Sequence, residues 1–299
     1  MTRKNPGRFA KVNGIQLHYV GMGKGPLILF LHGFPEFWAA WEEQLSVFSK
    51  DHQAVAPDMR GYNLSDKPAE VTAYHVNTLM EDLRQLAAHL GHASFTLVAH
   101  DWGGAVAWSL AARHPELIEK LVIINSPHPL IFARELLENP EQQKASEYMR
   151  LFRSKDAEQI LSKDNFAMLR EAIFNQWGSK WKPGDEELQR YIDAWSQPGA
   201  LTGGLNYYRA SPLYPPKTDA EKERLHSIAE LSRDVFYVTV PTLVIWGERD
   251  TALLTGNLEG LEEMVADLRV ERLPEATHWV VHEEPTEVNR MIREFIDTA

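Results

Sequence analysis

A chain of 299 residues is long enough for one α/β core with a large insertion, and its 44% hydrophobic and 24% charged content is ordinary for a globular protein. The formal net charge of −11 argues against a nucleic-acid surface, which needs a basic patch. The absence of cysteine excludes disulfides, thiolate catalysis and Cys-based zinc sites.

The first ten residues carry Arg3, Lys4 and Arg8 with no apolar stretch behind them, so they do not read as a secretory signal. No run approaches the ~18 apolar residues of a membrane span. A cytoplasmic protein is expected, with neither membrane nor nucleic acid as partner. Alternating apolar residues at Val12 and over 15–20, around Asn13-Gly14, predict a hairpin. The apolar run 27–31, ended by His32-Gly33, predicts a strand buried on both faces. Residues 37–48 have helical spacing, 53–57 read as a short strand ending at Asp58, and 76–90 as a helix. In that helix Leu79, Leu83, Leu86 and Leu90 form one stripe before Gly91. A buried strand at 95–99 runs into His100-Asp101-Trp102-Gly103-Gly104. A helix over 105–113 follows, closed by His114-Pro115, then a strand at 121–124. Strands alternating with helices imply a mostly parallel central sheet flanked by helices.

The rhythm stops at about residue 127. The segment 127–225 shows no buried strand and reads as an inserted helical cap, with residues 1–126 and 226–299 forming the α/β core. Its aromatics include Tyr148, Phe152, Phe166, Phe174, Trp177, Trp181, Tyr191, Trp195, Tyr207 and Tyr208. The alternation resumes with a strand at 242–246, a helix near 258–266, a strand near 269–273 and a helix over 285–296. Pro285 suits the first turn of that last helix.

Asp101 stands between a buried strand and a helix, where α/β-hydrolases carry their nucleophile on a sharp turn. Taken alone, an Asp before a helix is commonly only an N-cap. Gly103 and Gly104 allow close approach of helix and strand, and Asp250 and His278 follow in the chain order nucleophile, acid, histidine. An Asp in this place changes the chemistry. A serine needs a base to remove its proton before attack, whereas a carboxylate can attack directly and form an ester. His278, oriented by Asp250, would then deprotonate the water that hydrolyses the ester. The backbone N–H groups of Phe34 and Trp102 would form the oxyanion hole. The substrate must carry a strained ring or a leaving group on saturated carbon.

Together these residues resemble the epoxide hydrolases of the α/β-hydrolase fold, in the branch with an Asp nucleophile. The resemblance runs from Gly14 to Phe295. It rests on His32-Gly33-Phe34-Pro35-Glu36, Asp58-Met59-Arg60-Gly61-Tyr62, His100-Asp101-Trp102-Gly103-Gly104, Trp246-Gly247-Glu248-Arg249-Asp250 and Thr277-His278-Trp279. It implies conversion of an epoxide to a vicinal diol through an ester on Asp101, with water as co-substrate and no cofactor or metal. It also implies two cap tyrosines that hold and protonate the epoxide oxygen. Tyr148-Met149-Arg150-Leu151-Phe152 places one role on Tyr148, and Leu205-Asn206-Tyr207-Tyr208-Arg209 places the other on Tyr208, with Tyr207 as its alternative. Trp38, Phe37 and Phe152 are expected to line an apolar pocket for a small apolar epoxide. The protein is expected to be a monomer or homodimer.

Haloalkane dehalogenases resemble this chain in having Asp-Trp at the turn, but they place Asn after His-Gly, where Phe34 stands here. Fluoroacetate dehalogenases share His-Gly-Phe-Pro but carry arginines where Trp102 and Ala105 stand. A non-catalytic receptor on the same fold has no need of Asp101, Asp250 and His278 together. A serine hydrolase is disfavoured, since Ser109 lies inside the following helix. His100 is expected to pack in the core and His282 to be solvated beside Glu283-Glu284.

Overall fold

The structure, a computed structural model, describes residues 7–176 and 181–298. Trp177 lies outside the described residues. Strands β1 (Arg8–Val12) and β2 (Ile15–Met22) form the expected hairpin, with Val12 opposite Ile15 and positive φ at both Asn13 and Gly14. Asn and Gly tolerate that conformation, and the resulting turn matches the strand twist. Strand β3 (Leu27–Leu31), helix α1 (Glu42–Phe48), β4 (Gln53–Pro57), α2 (Val76–His89), β5 (Phe95–His100), α3 (Trp102–Arg113) and β6 (Ile118–Ile124) complete the first half. Among the described residues seven α-helices follow: α4 (Pro129–Glu138), α5 (Pro140–Ala145), α6 (Tyr148–Phe152), α7 (Ala157–Glu171), α8 (Asp185–Trp195), α9 (Ala200–Ala210) and α10 (Asp219–Ala229). Then come β7 (Thr242–Gly247), β8 (Leu268–Leu273), α11 (Val280–Glu283) and α12 (Pro285–Ile296).

The eight strands form one sheet in the order β1-β2-β4-β3-β5-β6-β7-β8, antiparallel across the first two pairings and parallel across the rest. Its central strands are mainly apolar because both faces are covered. Leu29, Leu31, Leu97 and Ala99 point into one apolar cluster, while Ile28, Phe30 and Val98 point into the other, as a period of two requires. Full burial of each large side chain stabilises the fold by roughly 1.5–3 kcal/mol. The parallel strands all end on the same side. The loops after β3, β5, β6 and β7 therefore converge there, which is where open α/β sheets place their ligands.

Three local expectations are revised. The segment 37–48 begins as a 3-10 turn, Trp38–Trp41, before α1. The helix expected near 258–266 is instead two 3-10 turns, Thr255–Leu258 and Leu261–Glu263. Gly260 separates them with φ of 78°, a left-handed conformation that interrupts the right-handed turns on either side. The helix after Asp101 starts at Trp102 rather than at residue 105, because the turn leads directly into it. Helix α10 packs on α4 and runs through residue 225, where the insertion was expected to end. No helix among the described residues is long and apolar enough to cross a membrane.

Candidate active site

Asp101 sits between β5 and α3 with φ of 49° and ψ of −120°. A non-glycine residue in that region costs on the order of 1–3 kcal/mol, and such strain persists only where the surroundings enforce it. Here the enforcement is visible: the Ser126 hydroxyl donates to the Asp101 carbonyl at 2.7 Å. Asp101 makes no side-chain cap to α3, so the N-cap explanation of its identity fails. Its carboxylate instead accepts from the Phe34 N–H, at 2.8 Å to Oδ1. Gly33 permits that contact, since a Cβ there would stand 2.2 Å from Oδ1. Trp102 opens α3, so its N–H has no intrahelical acceptor. It makes no hydrogen bond to Asp101 in this state, and only the Phe34 half of the expected donor pair is engaged.

His278 and Asp250 meet as the chain order suggested. His278 Nδ1 is 2.6 Å from Asp250 Oδ2, and His278 Nε2 is 3.8 Å from Asp101 Oδ2. Asp250 is fully engaged. Its Oδ1 accepts from the N–H groups of Ala252 and Leu253 at 2.8 and 2.9 Å, and its Oδ2 also accepts from Asn125 Nδ2 at 2.8 Å. Burial favours the neutral acid, but His278 above all, with the N–H groups of Leu253 and Ala252, outweighs it and holds the Asp250 carboxyl below the usual carboxylate range. Burial disfavours a charged His278. Asp250, Asp101 and Glu36 more than offset it and raise the imidazole to about 9.

Asn125 was not foreseen. It follows β6 directly, is wholly buried, adopts φ of 39°, and exchanges hydrogen bonds with the backbone of Gly247 while holding Asp250. The available signal was its position: a polar residue directly after a buried parallel strand, level with Asp101. In the sequence Glu36 stands out only as the last residue of His32-Gly33-Phe34-Pro35-Glu36. It is buried among His100 Nδ1 at 3.5 Å, His282 Nε2 at 2.5 Å and the Tyr191 hydroxyl at 3.1 Å. Burial alone would favour its neutral form, but the two histidines draw its carboxyl far below the ordinary range. His100 is in the core as expected, with Nε2 2.9 Å from the His278 carbonyl. His282 is not solvated. It is bound to Glu36 and stacked on Trp181, with centroids 3.7 Å apart and planes at 4°. Short helix α11 keeps the chain inside the protein for one more turn after His278 before Glu283.

Two cavities flank Asp101. The larger, partly open to solvent, is lined by Asp101, Trp102, Phe132, Met149, Leu213 and Leu253 among others. The smaller is lined by Asp101, Phe34, Phe152, Leu169, Ala172 and His278 among others. Tyr148 and Tyr208 line both. Their rings lie 6.2 Å apart at 81°. Burial, with the nearby Asp101, pushes both phenols well above their ordinary value, so both are neutral at rest. Tyr207 points elsewhere: its hydroxyl donates to the Arg60 carbonyl at 2.9 Å. Of the aromatics expected around the substrate, Phe152 lines the smaller cavity. Phe37 lines a separate pocket with Glu36, Tyr62 and Trp195, and Trp38 lines neither Asp101 cavity. Trp38 is held off by its own N–H bond to Asp58 at 3.0 Å and carries Arg190 over its ring.

A strained aspartate at a strand-to-helix turn, backed by a histidine–aspartate pair on a mostly parallel sheet, has the layout of an α/β-hydrolase. The family described as the alpha/beta hydrolase fold matches residues 26–285, and the chain belongs to it. Within it the chain falls among the epoxide hydrolases. It is 37% identical to epoxide hydrolase 3 of Xenopus tropicalis, over 96% of this chain and 76% of that protein. It is similar in structure to a mutant epoxide hydrolase from Bacillus megaterium, with TM-score 0.90, 39% identity, and coverage of 97% of this chain and 100% of the other. It is also 38% identical to the AB hydrolase superfamily protein YfhM of Bacillus subtilis, over 97% of each chain.

Proposed function

We propose that this enzyme converts a small apolar epoxide to a vicinal diol through an ester on Asp101. The observation that carries the reading is that Tyr148 and Tyr208, both neutral phenols, line the same two cavities as the Asp101 carboxylate. In the first step Asp101 Oδ2, the oxygen not held by Phe34, attacks one epoxide carbon. The ring C–O bond breaks, and the epoxide oxygen takes a proton from one of the two tyrosines. A phenol suits that task because the alkoxide it meets is a far stronger base. In the second step His278 removes a proton from water, which adds to Asp101 Cγ. The Phe34 N–H then supports the developing oxyanion, joined by the Trp102 N–H. Collapse releases the diol alkoxide, which takes back the proton that His278 removed, and the second proton of the water, left on the Asp101 carboxyl, restores the tyrosine. No cofactor or metal enters this sequence. The helices 127–225 act as the cap that carries the tyrosines over the nucleophile.

Ester formation removes the charge of Asp101, one of the anions that raise His278. His278 thus becomes easier to deprotonate at the moment a base is required. In the resting enzyme its charge balances the two carboxylates beside it.

The test is a paired assay of diol formation from styrene oxide and halide release from a bromoalkane. Diol without halide is predicted; halide without diol would move the enzyme to dehalogenation, since a halide leaving group needs no proton. The tyrosines are tested separately. Tyr148→Phe combined with Tyr208→Phe should lower the rate of epoxide opening at least about 100-fold, the lower end of general-acid contributions, with the circular dichroism spectrum unchanged. Wild-type opening rates in that double variant would remove the tyrosines from the mechanism.

A further inference from the structure

The two tyrosines belong to different helices, Tyr148 to α6 and Tyr208 to α9, and they must converge on a single oxygen. We infer that Arg153 is the positioning residue that sets their relative placement, an inference that rests on the proposed role of the tyrosines. Arg153 is the C-terminal cap of α6, its N–H bonded to the Met149 carbonyl at 3.1 Å. Its Nη1 donates to the carbonyl of Tyr208 itself and to that of Ser211 at 2.8 Å, at the C-terminal end of α9. One guanidinium therefore links the end of the Tyr148 helix to the backbone of the other tyrosine.

The electrostatics show that Arg153 does not serve an ordinary ion pair. Among the described residues no carboxylate lies within salt-bridge distance of it. Burial, with Arg224 and Arg150 nearby, shifts the group downward, so its charge is held at a cost. What compensates is the negative end of α9, where a cation is favoured, and the ring of Tyr214, 3.9 Å below the guanidinium. Arg224 donates to the Tyr214 hydroxyl at 2.7 Å and to the Pro212 carbonyl at 3.0 Å. The chain leaving α9 is thus gripped on its carbonyls, and two of its residues, Ser211 and Leu213, line the larger cavity. Planar Arg can satisfy two carbonyls and stack at once; a Lys ammonium cannot stack in the same way.

Loss of this link displaces Tyr208 relative to Tyr148 without touching Asp101, His278 or Asp250. It should therefore slow ring opening and spare ester hydrolysis. The experiment is a rapid-quench measurement with styrene oxide, following the ester on Asp101 by intact mass. The proteins are the wild type, Arg153→Met, Arg153→Lys, Arg190→Met and the Tyr148→Phe/Tyr208→Phe pair. Arg190 is bonded to Glu42 and lines neither Asp101 cavity, so it reports general loosening of the insertion. In Arg153→Met, ester formation is expected to slow about 10- to 100-fold, the scale of a misplacement near 1 Å. Ester hydrolysis should stay within about twofold, and Arg153→Lys should recover part of the loss. Ester formation at the wild-type rate in Arg153→Met, or equal slowing of both steps as in Arg190→Met, would overturn the inference. If Arg153→Met does not fold, Arg153→Lys decides: ester formation at the wild-type rate there contradicts the inference, and selective slowing supports it. Retained ester formation in the tyrosine pair would instead remove the reading beneath it.

Discussion

Asp101→Ala is expected to abolish diol formation from styrene oxide, by at least about 10⁴-fold in kcat, and to leave no substrate-derived mass on the protein. The size follows from the chemistry: without the carboxylate there is no covalent path, and what remains is binding and the tyrosine acids, worth only part of the acceleration. The loss should not come from unfolding. Alanine keeps the unfavourable φ of 49° that the turn imposes, so stability should change by no more than about 1–3 kcal/mol, the scale of strain at such a residue. The measurements are steady-state diol formation, intact mass and thermal melting on the same preparation. Turnover within tenfold of the wild type would remove Asp101 from the reaction.

His278→Gln is expected to do the opposite to the intermediate. Ring opening needs Asp101 and the tyrosines, so the variant should still form the ester, but no base then activates water. Turnover should fall by about 10²–10⁴, the contribution of a positioned general base, while the protein gains the mass of one substrate. The wild type should show a weaker form of this on the acid side. His278 is raised to about 9 in the free enzyme, by Asp250, Asp101 and Glu36 acting against burial, and is cationic at neutral pH. In the ester the Asp101 charge is gone, so the imidazole falls below that value. Ester hydrolysis needs the neutral form and should slow as pH drops through the lowered pKa. More ester should accumulate at pH 6 than at pH 8. Equal amounts at both, with normal turnover in His278→Gln, would exclude His278 as the base.

Much of the site was legible in the sequence because its parts sit where patterns are strongest. Strands β3, β5 and β7 are largely apolar runs, and the short loops after them stand out as polar or glycine-containing, giving Phe34's loop, Asp101 and Asp250. Asn125 follows the same rule after β6 yet was passed over, because its side chain acts on Asp250 and not on a substrate. The neighbours Tyr207 and Tyr208 could not be separated on motif alone. Adjacent helical residues diverge by roughly 100°, and which one faces the nucleophile depends on how α9 lies on the sheet. The hydrogen bond from Tyr207 to the Arg60 carbonyl shows which way that helix is turned.

The aromatic residues after β3 show the limit of composition. Phe37 and Trp38 are as apolar as Phe152, but the turn that brings Phe34 to Asp101 carries the next residues past the cavity. Phe37 ends against Tyr191, with ring centroids 5.2 Å apart. The charge run Glu283-Glu284 suggested solvent for His282, whereas its ring is covered by Trp181 from the insertion, a contact between segments about 100 residues apart. Such pairings leave no local periodicity.

The central claim is that Asp101, not water, makes the first bond to the substrate carbon. It is tested most directly by a single turnover in H₂¹⁸O with enzyme in excess over styrene oxide. Because water adds to Asp101 Cγ, the account predicts an unlabelled diol and one ¹⁸O in the peptide that contains Asp101. A diol carrying ¹⁸O from the first turnover, with that peptide unlabelled, would mean direct attack by water and would contradict the account.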